Sequence, residues 1–340
     1  MVSVSLPATV SRSSRGRTTS WSLLRQCRRH LLCVARQTVE YEFRCVHTAA
    51  PLSGGTCQRA RDPAAYAAPV IRLVSWNVCH VDRWTILGDY DADLALLQEA
   101  RRPPSGAVRQ VVPDDSDPWV TAGWPKRRWR TAIARLSDRV ALDARPTMAL
   151  EMATHQAHWT ASREGTIAAA DVHADGQLAF TVASVYAPWE RDPRSEHIYA
   201  DASAHRILSD LSALLYSPRH RVIVAGDWNI LFAYGEYGNR YFRDRYKTVF
   251  DRAEALGLRF VGPQHPDGRQ AIPWPAELPR DSRCVPTFHH SRQTPETATR
   301  QLDFVFASLS LVDRVHTRAL NKPEAWGPSD HCRILIDVDV

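Results

Sequence analysis

The sequence lacks a long uninterrupted hydrophobic segment. Hydrophobic residues make up 44% of the 340 residues and charged residues 24%, which is the balance of a globular protein. No apolar run approaches the roughly 18 to 20 residues that a helix needs to cross a bilayer. The sequence therefore excludes a membrane-spanning role.

Cysteine is scarce after the first part of the chain. Four of the seven cysteines lie within residues 1–69, and only Cys79, Cys284 and Cys332 follow them. The sequence contains no C-x-x-C pair and no other zinc-like spacing, so neither a zinc motif nor a disulfide framework is predicted. Scattered thiols are typical of a reducing compartment, and we therefore expect a cytoplasmic protein.

An excess of basic residues is also missing from most of the chain. The net charge is +6, but residues 1–69 contain ten arginines and only three acidic residues, which leaves 33 basic and 34 acidic residues in 70–340. Because residues 70–340 are close to neutral, their overall electrostatic field would not steer the protein to nucleic acid. A local basic patch can still hold phosphates. Composition alone thus gives weak support to nucleic-acid binding.

Residues 1–69 differ in composition from the rest of the chain. They are rich in Arg and Ser, and arginines interrupt their apolar segment Leu23–Leu32, so a secretory signal is not predicted. Such a composition is found in organelle transit peptides, in disordered tails and in chains whose start site was placed too far upstream. We interpret residues 1–69 as a leader and residues 70–340 as the functional domain.

Apolar segments of strand length alternate with a few helical segments from Val70 onward. Helical spacing of apolar residues predicts one helix over Ala204–Leu215 and a second over Tyr246–Leu256. Many strands with a few helices predict one α/β domain with a large core. The predicted strands are Ile71–Val78, Leu94–Leu97, Thr131–Leu136, Thr166–Val172, Phe180–Tyr186, Val222–Ala225, Leu302–Phe306 and Ile334–Val338.

Short polar motifs stand at the downstream ends of these strands. Divalent cations such as Mg²⁺ prefer carboxylate, water and phosphate oxygens as ligands, and several carboxylates crowded into one cleft repel each other unless a cation lies among them. The motifs are Ser75-Trp76-Asn77, Leu97-Gln98-Glu99, Tyr186-Ala187-Pro188, Gly226-Asp227-Trp228-Asn229 and Ser329-Asp330-His331.

Each motif alone has a commonplace explanation. A Gly-Asp-x-Asn sequence is often a turn, and a Glu at a strand end is usually solvated. Asp303 is harder to explain in this way, because a carboxylate between Leu302 and Phe304 needs a partner. That partner could be the imidazole of His331, whose orientation Asp303 would fix. Together the motifs favour a site for a metal ion and a phosphate.

The ordered series W-N, Q-E, Y-A-P, G-D-x-N, L-D-F-V-F and S-D-H resembles the endonuclease/exonuclease/phosphatase superfamily from about Ile71 to Val340. The resemblance implies a four-layer α/β sandwich, in which two packed sheets are flanked by helices. It also implies a metal-dependent phosphoesterase that uses Mg²⁺ or Mn²⁺ and an in-line attack of water on phosphorus. It does not extend to residues 1–69.

The resemblance also implies roles for individual residues. Glu99 resembles the principal metal ligand, with Asn77 and Asp330 beside it. Asp227 resembles the group that orients or deprotonates the attacking water. Further roles follow by position: Asn229 and His331 would bind phosphoryl oxygens, Asp303 would hold His331, Tyr186 occupies the position of the active-site tyrosine, and Thr287 belongs to the short T-F motif before the L-D strand.

Several residues could contact the substrate. The run Pro125–Arg130 includes Arg127, Arg128 and Arg130 around Trp129, and such a patch can hold backbone phosphates and stack a base, although basic runs are also common on solvated surfaces. Trp228 could stack on a sugar or base, or could pack beneath its loop. The sequence thus favours a nuclease.

Two other functions remain open from sequence. A phosphomonoesterase or small-head-group phosphatase, of the inositol phosphate or lipid type, would use the same site. A binding module without catalysis would be expected to have lost ligands, whereas all of the motif residues are present. The sequence does not choose between DNA, RNA and a small phosphate ester, and it leaves the oligomeric state open.

Overall fold

The computed structural model describes most of the chain after residue 68. Residues 1–68, which contain nearly all of the predicted leader, lie outside the described residues, so the leader and the domain boundary at residue 70 remain predictions. Among the described residues, no helix has both the length and the apolar character needed to cross a membrane. The described ranges are 69–114, 119–121, 126–155, 159–190, 199–217 and 219–340.

Short strands make up most of the regular structure in these ranges. The strands are β1 (Val70–Asn77), β2 (Leu94–Ala100), β3 (Gln110–Val112), β4 (Arg130–Arg135), β5 (Val140–Arg145), β6 (Met148–Ala149), β7 (Thr160–Ala161), β8 (Ile167–Ala174), β9 (Gln177–Tyr186), β10 (Val222–Asp227), β11 (Leu258–Gly262), β12 (Asp303–Ser308), β13 (Val315–Ala319) and β14 (Ile334–Asp339). The α-helices are α1 (Ala200–Asp210) and α2 (Arg240–Ala255). Single 3-10 turns include Trp84–Asp89 and Leu211–Leu214.

Two six-stranded sheets contain twelve of these strands. The first has the order β13-β14-β1-β2-β4-β3 and the second the order β11-β12-β10-β9-β8-β5. Both sheets are mixed: β1 and β2 run parallel in the first, β9 and β10 run parallel in the second, and the remaining neighbours are antiparallel. Because parallel neighbours end at the same edge, the motifs that follow β1 and β2 lie together, as do those that follow β9 and β10.

Alternate side chains of the two sheets form the central core. Leu73 and Ile133 of the first sheet belong to the same buried cluster as Phe180 and Ile223 of the second, as expected when side chains of period two face a second sheet. The opposite faces are also buried. The outer face of the second sheet packs with α1 and α2, and that of the first packs with the turn that contains Trp84.

The helices begin and end differently from the sequence prediction. α2 starts at Arg240, earlier than the predicted Tyr246, because the Asn239 side chain caps it by accepting a hydrogen bond from the Tyr241 N–H at 2.8 Å. α1 ends at Asp210 and continues as a 3-10 turn to Leu214. The predicted fold class, a four-layer α/β sandwich, is confirmed. The described residues form two packed six-stranded sheets and few helices.

Candidate active site

The two sheets bring the motif residues to one end of the sandwich. Asp227 ends β10 and lies directly opposite Asp303, the first residue of the antiparallel strand β12. Asn77 ends β1 in the first sheet, and its Nδ2 donates a hydrogen bond to Asp227 Oδ2 at 3.0 Å. The ends of β1 and β10 therefore bring together Asn77 and Asp227, which lie 150 residues apart in the chain.

Gly226 allows β10 to approach its neighbour closely enough to place Asp227. Its φ is +154°, and a Cβ at this position would lie 1.9 Å from the carbonyl oxygen of Val185 on β9. Any larger residue would push the two strands apart. The glycine of the Gly-Asp motif thus has a steric role in the position of the carboxylate that follows it.

Asp303 and His331 form a buried pair. Asp303 Oδ2 lies 2.8 Å from His331 Nδ1, and both side chains are at least 95% buried. With Nδ1 occupied, Nε2 faces Asp227 Oδ2 at 3.8 Å, which is longer than a hydrogen bond. Burial alone would lower the pKa of His331, but the charges of Asp303 and Asp227 overcome it and raise the pKa to about 10. The pair therefore presents a fixed imidazolium to the site.

Asp227 accepts three hydrogen bonds from Asn77 and Asn229. Its Oδ1 accepts the backbone N–H of Asn229 at 3.0 Å, and its Oδ2 accepts the amide of Asn77 at 3.0 Å and that of Asn229 at 3.1 Å. Burial raises the pKa of Asp227 to about 8; the positive His331 opposes this rise, and the charges of Asp303 and Glu99 add to it. This is the environment of a carboxylate that can accept a proton.

Asn229 has a strained backbone and a fixed amide. Its φ is +51°, a left-handed conformation that Asn tolerates better than most residues. Its Nδ2 also donates to the carbonyl oxygen of Ala187 at 3.0 Å, and its Oδ1 accepts a short hydrogen bond from the indole N–H of Trp189. Trp189 was not among the predicted site residues, although it directly follows the Tyr-Ala-Pro motif.

Glu99 also has a left-handed backbone, with φ at +53°. The register between β2 and β4 shifts between Leu97 and Ala100, and such a bulge re-aims the side chain at that point. The carboxylate is 14% exposed and lies 3.0 Å from His80 Nδ1. Its charge contributes to the raised pKa of both Asp227 and Tyr186, so it lies within electrostatic reach of the buried cluster.

Tyr186 connects Glu99 to an aromatic and basic wall. Burial, followed by the charges of Glu99 and Asp227, holds the pKa of its hydroxyl well above the usual value. Its ring packs edge-on against Trp129 with centroids 5.0 Å apart. The guanidinium of Arg127 lies 4.7 Å from the Trp129 ring and 5.7 Å from the Tyr186 ring.

Asp330 lies at the open side of the site and is partly exposed. Its Oδ1 accepts a hydrogen bond from the Ser329 hydroxyl at 3.2 Å. That hydroxyl also lies 2.7 Å from the carbonyl oxygen of Asn77 and accepts the His331 N–H at 3.2 Å. Ser329 was present in the predicted motif without a role. Its hydrogen bonds tie Asp330 and His331 to the end of β1.

Two of the residues predicted for the site are buried in this structure, and a contact of either with the substrate remains a prediction. Trp228 is fully buried and packs edge-on against Phe306 in the core, with centroids 5.0 Å apart, which agrees with the alternative that it packs beneath its loop. Thr287 is also fully buried. Its hydroxyl accepts the backbone N–H groups of Leu302 and Asp303 at 3.0 and 3.1 Å. Thr287 therefore positions the start of β12.

The predicted basic run divides into buried and exposed residues. Arg127 and Arg130 are 8% and 4% exposed, so little of either side chain is open to solvent, and their contact with the substrate remains a prediction. Arg127 donates to the Glu164 carbonyl oxygen at 3.0 Å, and its Nε and Nη1 have no hydrogen-bond partner among the described residues. Arg128 is exposed and remains a predicted substrate contact.

Strand pairing adds two basic residues that the prediction missed. Ala100, at the end of β2, pairs with Arg130, at the start of β4. The exposed residues Arg101 and Arg102, which follow β2, and the exposed Arg128, which precedes β4, therefore lie in segments that leave the same end of this strand pair. Their position directly after the Gln-Glu motif was the available sequence signal.

The donor groups fit a hard divalent cation. Glu99 and Asp330 supply carboxylates at the open side, and Asn77 Oδ1 accepts the Cys79 N–H at 2.9 Å, which leaves one lone pair for an ion. The negative charges of Glu99 and Asp303 both act on Asp227, an arrangement that a cation would stabilise. A second possible ligand group consists of Asp227, Asp303 and His331, all buried.

Comparisons with solved structures agree with this fold. An AP endonuclease from Archaeoglobus fulgidus is 18% identical with a TM-score of 0.52, over 79% of this chain and all 100% of its own. AP endonuclease LMAP from Leishmania major is 15% identical with a TM-score of 0.51, over 80% of this chain and 88% of its own. The endonuclease domain of TRAS1, a telomere-specific non-LTR retrotransposon, is 15% identical with a TM-score of 0.50, over 79% of this chain and 99% of its own.

A family match covers most of the sequence. No curated protein is similar enough in sequence to match the chain. Residues 74–331 match the Endonuclease/Exonuclease/phosphatase family, and this range contains every motif residue discussed above. The members of that family are hydrolases that act on phosphoesters. The chain belongs to the Endonuclease/Exonuclease/phosphatase family.

Proposed function

We propose that the chain hydrolyses phosphodiester bonds with the help of a divalent cation and that its substrate is a nucleic acid. The observation that carries this proposal is the convergence of Asp227, Asp303 and His331, whose ligand atoms all lie within 4.8 Å of one another. Glu99 lies within electrostatic reach of this cluster. Such a set of groups can bind a phosphoryl group and activate a water molecule beside it.

The residues have distinct parts in the proposed reaction. Asp227, whose carboxylate is held by three hydrogen bonds, orients the attacking water and accepts its proton. His331 Nε2 holds a phosphoryl oxygen, and Asp303 keeps the imidazole in place. The Asn229 amide binds a second phosphoryl oxygen by giving up one of its bonds to Ala187 and Asp227. Glu99, Asn77 and Asp330 would hold Mg²⁺ or Mn²⁺, which supplies charge stabilisation for the in-line displacement when bound.

The basic rim favours a nucleic acid over a small phosphate ester. Arg101, Arg102 and Arg128 are exposed and lie in the segments that leave the paired ends of β2 and β4, the end of β2 at which Glu99 lies. Trp129 is partly exposed and packs on Tyr186. Cations beside an aromatic ring can hold backbone phosphates and stack a base, whereas a small head group would leave these residues without a ligand.

A substrate panel tests this proposal. The purified full chain is assayed with Mg²⁺ and with Mn²⁺ on abasic duplex DNA, plain duplex DNA, single-stranded DNA, RNA, inositol phosphates and sphingomyelin. We expect cleavage of at least one nucleic acid at a rate well above that of the small esters. Hydrolysis confined to inositol phosphates or sphingomyelin would instead establish the phosphatase alternative and refute the nuclease proposal.

The non-catalytic alternative is tested with a generic substrate. We expect hydrolysis of bis-p-nitrophenyl phosphate that is lost in EDTA and restored by added Mg²⁺ or Mn²⁺. Absence of hydrolysis of every substrate with both ions, together with retained nucleic-acid binding, would favour a binding module.

The cytoplasmic location remains a prediction that is consistent with the free thiols of Cys79, Cys284 and Cys332.

A further inference from the structure

The turn after β1 has an unusual backbone. Cys79 and His80 are consecutive non-glycine residues with φ values of +53° and +44°. Left-handed conformations of this kind persist only where the surrounding structure holds them, and they concentrate at functional sites. The Cys79 N–H donates to Asn77 Oδ1 at 2.9 Å, and the Val78 N–H donates to the Gln98 carbonyl oxygen at 3.0 Å. The turn is therefore tied to both β1 and β2.

The turn places Cys79 and His80 beside Glu99 of β2, so that three different ligand types lie close together. The Cys79 Sγ, the His80 Nδ1 and a carboxylate oxygen of Glu99 all lie within 4.8 Å of one another. His80 Nδ1 and Glu99 Oε2 are 3.0 Å apart. The ligands of a tetrahedral zinc ion lie roughly 3.5 Å from each other, given zinc–ligand distances of about 2.0–2.3 Å. A small movement of these side chains would give that spacing.

The group is open to ions from solvent. The His80 side chain is 50% exposed, the Glu99 side chain is 14% exposed, and Cys79 is partly exposed. An ion bound by three protein ligands would retain an open position for water, as catalytic zinc sites do.

The charges around Cys79 also favour a cation. Asp330 and Glu99 place two negative charges beside the thiol. These carboxylates attract a divalent ion, and coordination of the thiol releases its proton to solvent and leaves a thiolate.

We propose that Cys79, His80 and Glu99 form a site for a borderline-soft transition metal such as Zn²⁺ or Co²⁺. Thiolate and imidazole ligands select these ions, whereas Mg²⁺ takes oxygen ligands at near-octahedral geometry. The scarcity of cysteine and the absence of a C-x-x-C pair gave no sign of the site, because its ligands come from two strand ends. The proposal rests on the proposed function only through the shared Glu99.

Cobalt spectroscopy tests the site directly. The full chain contains four further cysteines before residue 69, so every protein in the experiment carries serine at Cys27, Cys33, Cys45 and Cys57. Titration of this protein with Co²⁺ is expected to give a sulfur-to-cobalt charge-transfer band that saturates near one equivalent. The substitution Cys79→Ser should abolish the band, and Cys284→Ala, at a buried cysteine in the core, should retain it.

Two further measurements make the result independent of one variant. Calorimetric titration with Zn²⁺ is expected to show at least a tenfold weaker affinity for Cys79→Ser and for His80→Ala. X-ray absorption of the zinc-loaded parent protein, which carries no change in the site, should show one sulfur neighbour at about 2.3 Å. Only nitrogen and oxygen neighbours, or a charge-transfer band that survives Cys79→Ser, would overturn the proposal.

These outcomes are separable from those of the proposed function. Mg²⁺-dependent hydrolysis without any sulfur–cobalt band would reject the transition-metal site and leave the phosphoesterase proposal standing. A saturating band in a protein that hydrolyses no phosphoester would support the metal site and reject the proposed function.

Discussion

The substitution Asp227→Asn is the sharpest test of the proposed chemistry. It preserves the shape of the side chain and removes the charge that would accept a proton from water. A positioned general base typically contributes about 10²–10⁴-fold to a rate, which corresponds to about 3–5 kcal/mol in the activation barrier. We therefore expect kcat for bis-p-nitrophenyl phosphate to fall by at least about 100-fold, since only the general base is lost.

The hydrogen bonds around Asp227 set the expected effect on stability. Three donors converge on its two oxygens, so the NH₂ group of an asparagine must face at least one of them. If it replaces Oδ1, only the Asn229 N–H loses its acceptor, at a cost of about 1–3 kcal/mol. Loss of one charge beside Asp303 and Glu99 offsets part of this cost. The net loss of unfolding free energy should stay below about 2 kcal/mol.

Asp93 provides a matched control. It is 2% exposed, compared with 1% for Asp227, and its Oδ2 accepts the Arg72 N–H at 3.0 Å. It precedes β2, whereas Glu99 lies near the other end of that strand, about 20 Å away at the usual rise per residue. Asp93→Asn should lower the melting temperature without changing kcat. If Asp227→Asn kept more than a tenth of the parental kcat, its role as the base would be refuted.

Three further substitutions test the positions assigned to other residues. Thr287→Val removes the acceptor of two buried N–H groups, so we expect it to cost about 1–3 kcal/mol for each in chemical denaturation and to lower kcat, with Thr287→Ser restoring both. Trp228→Leu should lower unfolding free energy by about 2–5 kcal/mol with KM within twofold of the parent; a large change in KM alone would contradict core packing. Arg128→Ala should reduce the slope of log Kd for DNA against log salt by about 1, and Arg219→Ala, an exposed arginine on another loop, should leave it unchanged.

The sequence predicted the central strands well because they carry strong apolar signals. The buried strands β1, β2 and β10 consist mainly of apolar residues, and each was predicted to within a few residues. β5 and β13 were missed. They lie at sheet edges, and alternate residues in them are exposed, so polar and charged side chains dilute their apolar pattern.

The candidate site was predicted as a set of residues and not as a geometry. The meeting of Asp227 with Asp303 follows from their antiparallel pairing, which no local pattern reveals. The sequence could not show the burial of Trp228 and Thr287 for the same reason, because burial depends on what packs above a residue. His80 and Trp189 were missed for a related reason: both lie in turns that acquire their role only when another strand end approaches.

The site is divided between the two sheets, so their relative position must be fixed where they meet. Apolar packing is non-directional and allows small slips between sheets. Beside the site a polar link joins them: Ser184 Oγ of β9 donates to the Leu97 carbonyl oxygen at 2.8 Å and accepts from Gln98 Nε2 at 3.0 Å. Both side chains are fully buried, where directional hydrogen bonds are strongest and costly to break. The glutamine of the Gln-Glu motif therefore sets the distance between Glu99 on one sheet and Asp227 on the other.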